Sequence, residues 1–240
     1  MKLKGPVDFC IYYRNPEETA KSVKLALKLG FKTVVTSITL KEQDDFKELT
    51  TKTNELKKMI KEHGFENIFT RLHLIGSDIS WLKSCLRKLR YEFHIISSRP
   101  LNVEALRFVA RDRRVDSIVY GDRELAKFFD KSQMKLMRST GTVLELQFNS
   151  LWSSTHKWLI FSLRRTLGLA IRNNVPIVIS SGSSTLKNIK TPLQLASLLV
   201  VLGIPYVYAK QAICTVPLSV IKRNMHRLSK KHVEPGVDIV

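Results

Sequence analysis

Short apolar, β-branched or aromatic runs alternate along this chain with longer segments whose apolar residues recur every three or four positions. The short runs predict strands over 7–13, 33–38, 68–74, 93–97, 117–120, 142–148 and 176–179, with a weaker one near Leu136. The longer segments predict helices over 16–29, 43–62, 79–89, 102–111, 124–129, 154–173 and 192–202. A last basic helix is expected over 217–231, followed by a short loose tail over 232–240.

Strands return at intervals of about 23 to 35 residues, which suits a repeating unit whose helix carries the chain back to begin a parallel neighbour. Seven or eight such units make an α/β fold of the TIM-like (β/α) barrel type, with residues 1–240 forming one domain. A doubly wound open sheet is the rival, but no GxGxxG follows the first strand. Asn15-Pro16 and Thr191-Pro192 each place a capping side chain before a proline at the first helical position. Gly30, Gly64 and Gly203 follow periodic segments as left-handed stops.

Charge changes the picture. The chain carries 40 Lys and Arg against 21 Asp and Glu, a formal +19, while 44% of residues are hydrophobic. That combination leaves enough apolar material for a core and argues for a polyanionic partner. The surplus is uneven. Between Glu145 and Glu234 there is no carboxylate, although Lys157, Arg164, Arg165, Arg172, Lys187, Lys190, Lys210, Lys222, Arg223, Arg227, Lys230 and Lys231 all fall there. Further basic clusters lie at Arg99, Arg107, Arg111, Arg113 and Arg114, and at Arg71, Lys83, Arg87, Lys88 and Arg90. No apolar run approaches the roughly 20 residues of a spanning helix, and the first residues lack a signal peptide's apolar stretch, so a cytoplasmic protein without membrane contact is expected. Cys10, Cys85 and Cys214 are odd in number and widely spaced, which suits reduced thiols.

Candidate chemistry belongs at the strand ends of a barrel. A metal-dependent phosphoesterase barrel of the histidinol-phosphatase type would show Asp-x-His-x-His in its first strand, whereas Asp8 is followed by Cys10 and Tyr12. His73 and His94 stand in or beside later strands, and a stand-alone phosphoesterase using Asp8, His73 and His94 as ligands is the alternative enzyme reading. The loop Ser180-Ser181-Gly182-Ser183 either cradles a phosphate on backbone N–H groups or is an ordinary strand-to-helix connection. A third reading makes the chain a scaffold whose basic face binds acidic proteins.

The segment Val178-Ile179-Ser180-Ser181-Gly182, then Ile189-Lys190-Thr191-Pro192, Leu195-Ala196, Leu202-Gly203 and Ala209-Lys210, resembles the archaeal ribonuclease P protein component 3 family in order and spacing. Asn173-Asn174-Val175-Pro176 and Arg114-Val115-Asp116-Ser117 extend the likeness. The family pattern favours Arg then Asp where this chain has Lys190 and Gln194, which puts a fixed ion pair there in doubt.

The resemblance implies a polymerase/histidinol-phosphatase-like barrel without metal ligands and a chain that is not itself catalytic. It implies a subunit of ribonuclease P, the endoribonuclease that removes the 5′ leader from precursor tRNA. The RNA component is the catalyst there and uses Mg²⁺, no cofactor belonging to this chain. Implied partners are the ribonuclease P RNA, precursor tRNA, ribonuclease P protein component 2 in a heterotetramer, and the other ribonuclease P proteins. Matched motif and uncompensated charge together make Arg172, Lys187, Lys190, Lys210, Lys222 and Arg223 the leading RNA contacts, followed by Arg99, Arg107 and Arg114, with Ser180, Ser181, Gly182 and Ser183 shaping the loop.

Overall fold

The computed structural model describes residues 3–121, 125–152, 157–229, 232–234 and 237–238. Seven parallel strands lie side by side in chain order: β1 (Val7–Tyr12), β2 (Thr33–Lys41), β3 (Ile68–Gly76), β4 (Ile95–Pro100), β5 (Ser117–Tyr120), β6 (Val143–Gln147) and β7 (Ile177–Ser180). The helices between them are α1 (Pro16–Lys28), α2 (Phe46–Glu62), α3 (Ile79–Leu89), α4 (Val103–Arg111), α5 (Lys131–Thr140), α6 (Phe148–Trp152) and α7 (Lys157–Arg172). After β7 come α8 (Pro192–Val201), α9 (Tyr206–Ile213) and α10 (Thr215–Arg227).

The sheet curls until its edges meet. Tyr12 N–H donates to Ser183 O at 2.8 Å and Gly182 N–H donates to Cys10 O at 3.0 Å, so the residues just past β7 join β1. The barrel is nearly closed on seven strands, and α9 packs on β7 and β1 across the seam. No eighth strand joins the sheet among the described residues. An extra residue in β1, between its pairings with β2 at Asp8 and Ile11, bulges the strand.

Alternation places one set of side chains inside the barrel and the other under the helices. Val7, Phe9, Val35, Phe69, Ile95, Val143 and Val178 form an inner apolar layer near the strand starts, and α10 lays Val220 and Ile221 on it. Burying two such side chains stabilises the closed end by about 1.5–3 kcal/mol each. The last basic helix is therefore a plug for the strand-start end. Its bounds, Thr215–Arg227, start earlier than 217, and residues 230–231 lie outside the described residues.

Predicted caps form as read. Asn15 accepts from Glu18 N–H, and Thr191 with Gln194 makes a reciprocal capping box. Other elements differ. The weak strand expected near Leu136 is instead α5, a helix opened by the Asp130 cap, closed by Gly141 in the left-handed region and buried on Gln133, Met134 and Met137. The helix expected over 124–129 is a short 3-10 turn at Ala126–Phe128, residue 124 lying outside the described residues, as do the first three of 154–173. In the tail, His232–Glu234 pairs antiparallel with Val237–Asp238. No helix among the described residues is long and apolar enough to cross a membrane.

Candidate nucleic-acid interface

Above the apolar layer the barrel interior turns polar. Arg71 of β3 and Glu145 of β6 meet on opposite sides of the axis, Nη1 donating to Oε1 at 2.7 Å, with neither side chain exposed. Arg71 also donates to Phe9 O at 3.0 Å and, through Nε, to Ser97 Oγ at 2.8 Å. Glu145 accepts from Ser117 Oγ at 2.8 Å, Ser180 Oγ at 3.0 Å and Gln147 Nε2 at 3.4 Å. A carboxylate so surrounded by donors balances the guanidinium where no water reaches.

Nearer the strand ends, Tyr12 donates to Gln147 Oε1 at 2.9 Å and its ring lies edge-on to His73 at 5.8 Å. His73 Nδ1 sits 2.8 Å from Ser97 Oγ. Burial, followed by the charges of Arg71 and Arg99, holds the His73 imidazole well below its ordinary pKa, so it is neutral. Burial likewise pushes the Cys10 thiol up to about 12, which removes it as a nucleophile. The other candidate imidazole, His94, lies at the opposite end of the strands, where its Nδ1 takes Thr70 N–H at 3.2 Å. Asp8, His73 and His94 therefore do not converge, and no group of three or more His, Cys, Asp or Glu among the described residues could hold a metal ion.

The middle of the Ser180 to Ser183 run is engaged in closing the barrel: Ser181 N–H donates to Asp8 Oδ1 at 3.0 Å and Gly182 N–H to Cys10 O, so neither is open to a phosphate. Ser180, Ser181 and Ser183 are buried, and Ser181 Oγ accepts Lys190 N–H at 3.3 Å. This loop is the barrel's closing seam. At Gly182, with φ of 56°, a Cβ would stand 2.6 Å from Gln147 Cβ, so the close approach requires glycine.

The basic residues singled out by sequence divide in two. Arg172, Lys187, Lys210 and Lys222 are exposed, and none forms an ion pair among the described residues. Lys190 lies over the Phe148 ring at 5.2 Å, and Gln194 is held in the capping box, so the Lys190 and Gln194 departures have structural uses. Arg107, Arg114 and Arg223 are engaged by carboxylates. Arg107 forks onto Asp130 at 2.7 and 3.1 Å, and Arg114 onto Asp112 at 2.6 and 2.9 Å. Arg223 donates to buried Asp116 at 3.0 Å and to Gly141 O at 3.1 Å. Arg99 closes β4 beside Gly121.

Nor are these cations gathered at one end. Lys187 and Lys190 follow β7 at the strand-end face, whereas Arg172, Arg114, Lys222 and Arg223 lie on the face where strands begin. Sequence reading missed Arg71 and Glu145 as a pair, and Arg90 with Asp116. The available signal was a charge inside an apolar strand run at an inward position, as in Ile68-Phe69-Thr70-Arg71-Leu72.

Known proteins resemble the chain in both sequence and shape. The family described as RNase P subunit p30 matches residues 5–229. Ribonuclease P protein component 3 of Methanosarcina barkeri is 33% identical over 82 residues, so the match spans about a third, 34%, of that relative's length and of this chain. A chain in the cryo-EM structure of archaeal ribonuclease P with mature tRNA superposes with a TM-score of 0.78 at 20% identity, covering 98% of this chain and 97% of that one. A crystal structure of an uncharacterized protein shares the barrel with a TM-score of 0.57 at 10% identity, over 91% of this chain and 74% of that chain. With the family matched across nearly all of the barrel and α10, the chain belongs to the RNase P subunit p30 family.

Proposed function

We propose that this chain is an RNA-binding protein subunit of ribonuclease P, stabilising the catalytic RNA that removes the 5′ leader from precursor tRNA. The observation that carries the reading is the division of charge. Buried Glu145 and Asp116 are engaged by buried Arg71 and Arg90, while Arg172, Lys187, Lys210 and Lys222 stay exposed in a stretch without any acid between Glu145 and Glu234. Such a surface suits folded RNA, recognised through phosphates at several dispersed points rather than in one base-reading pocket. Lys190 and Arg99 extend the surface at the strand-end face, and Arg107, Arg114 and Arg223 contribute potential while held by their carboxylates.

Three interior groups that could act on a substrate are held out of such chemistry. The His73 imidazole is neutral and buried, the Cys10 thiol is unreactive, and the Arg71 guanidinium is engaged by a carboxylate. In this reading Mg²⁺ serves the RNA component, and this chain orients and screens phosphates. Ribonuclease P protein component 2 is the proposed protein partner, in a heterotetramer within the cytoplasmic complex. Support comes from the exposed apolar residues Leu193 and Val201 on α8 and Tyr206 and Val207 on α9, which suit contact with a protein.

Reconstitution tests the reading directly. Pre-tRNA cleavage by the RNA with component 2 and the remaining subunits is expected to fall at physiological Mg²⁺ when this chain is omitted. RNA affinity of the chain should drop with salt by roughly 0.7 to 0.9 in log K per neutralised phosphate per decade. Unchanged cleavage without the chain, or turnover of a model phosphoester by the chain with bound metal, overturns it.

A further inference from the structure

We propose that the groove between α3 and α4 is a binding site for the phosphodiester backbone of RNA. The inference rests on the reading of the chain as an RNA-binding subunit, and it places a contact outside the acid-free half of the sequence.

Helix α3 buries Leu82, Cys85 and Leu86 against the sheet. Ser80, Lys83, Ser84 and Arg87 follow the i, i+3, i+4, i+7 spacing that shares one face of a helix, the face turned to α4. Apolar side chains there would close the two helices together. Instead these four residues, with Phe108, Asp112 and Arg114 from α4 and its end, line an open groove of about 570 Å³.

The groove is electrostatically one-sided. Three cations, Lys83, Arg87 and Arg114, face one carboxylate, Asp112. That carboxylate is already held by Arg114, through Nε at 2.9 Å and Nη2 at 2.6 Å, and cannot neutralise the other two. Lys83 is exposed, with its Nζ over the Phe108 ring at 5.7 Å. Arg87 is exposed and has no ion pair among the described residues. Ser80 and Ser84 add two hydroxyls.

The donor set specifies the ligand class. An ammonium, a guanidinium fork and hydroxyls offer hydrogen atoms to a ligand rich in charged oxygens. Tyr91, which follows Arg90 after α3, is 70% exposed and offers a ring on which a base could stack. One run of RNA backbone accounts for all of these groups together.

The test uses the full chain and a labelled transcript of the ribonuclease P RNA from the same organism, titrated over a range of salt. Lys83→Ala with Arg87→Ala is expected to reduce the slope of log K against log salt by about 1.4, roughly 0.7 for each of two lost phosphate contacts. Lys24→Ala with Lys28→Ala on the exposed face of α1 removes the same charge elsewhere and should change the slope far less. Ser80→Glu puts a carboxylate into the groove at the first turn of α3, where it favours the helix, so an affinity loss of about tenfold with unchanged circular dichroism reports repulsion and not unfolding. If the groove pair behaves as the α1 pair does, the groove is not the site. If the unaltered chain itself binds the transcript without salt dependence, the functional reading falls with it. Full RNA affinity in the groove variants alongside lost binding of poly-glutamate would reassign the groove to an acidic protein.

Discussion

Arg71 and Glu145 lie 74 residues apart in the chain and 2.7 Å apart in the barrel, both without exposed surface. Removing one leaves the other charged and uncompensated in the interior. Glu145→Gln or Arg71→Ala is expected to cost about 3–5 kcal/mol, read as a shift of the urea midpoint. Arg71→Met combined with Glu145→Leu should recover most of that loss, because apolar residues of similar volume remove both desolvation costs. Additive losses in the double variant would contradict the pairing.

Asp8 gives a pH signature. Burial, opposed in part by the bonds from Ser181 and Cys10, pushes its carboxyl up from 3.8 to about 6, and its Oδ2 has no hydrogen-bond partner among the described residues. The folded chain holds this proton more tightly than the unfolded one, so the contribution is most favourable below about pH 4 and is lost as pH rises through 6. The change is of order 3 kcal/mol. Asp8→Asn keeps an acceptor for Ser181 and is expected to be more stable than the parent at pH 7, the difference vanishing toward pH 4. Parallel denaturation curves for the two proteins from pH 4 to 8 would exclude it.

Barrel closure depends on Gly182. Alanine there combines a left-handed backbone with a clash on Gln147, whereas at Gly64, with φ of 62°, an added Cβ would meet nothing within 4 Å. Gly182→Ala should lower stability by more than the backbone strain of about 1–3 kcal/mol, and Gly64→Ala by no more than that. Thermal melts of the two variants decide it, equal losses counting against a crowded seam.

Lys222 and Arg223 are neighbours with separate tasks. Arg223 reaches Asp116 and Gly141, tying α10 to the strand-start end, while Lys222 is exposed. Arg223→Ala is expected to destabilise by about 1–2 kcal/mol, less than for a fully buried pair because its side chain is 38% exposed. Lys222→Ala should stay within about 0.5 kcal/mol and weaken RNA binding. Measuring both quantities for both variants separates clasp from contact, and a reversed pattern would refute the assignment.

Much of the site was legible for local reasons. The capping residues Asn15 and Thr191 act on neighbours within three positions, so their roles can be read in line. The Ser180 to Ser183 run was visible as a break after an apolar strand, but whether its N–H groups face solvent or Asp8 depends on a strand 173 residues away. The partners of Arg107 and Arg223 could not be read in line, because Asp130 and Asp116 lie 23 and 107 residues distant. The helix at Tyr206–Ile213 escaped notice because no capping side chain announces it and it is shaped by packing on β7 and β1.

By itself the sequence determined the barrel's rhythm, its excess of positive charge and the segment lacking acids, because periodicity and composition are properties of neighbours along a chain. Only the tertiary structure decided that seven strands close without an eighth among the described residues, that Arg71 and Glu145 occupy the interior, and that Lys83 and Arg87 share a groove with Arg114. Those outcomes depend on which distant side chains meet once water is excluded, and the energy of a buried or exposed charge is set by that meeting rather than by the residue's own chemistry.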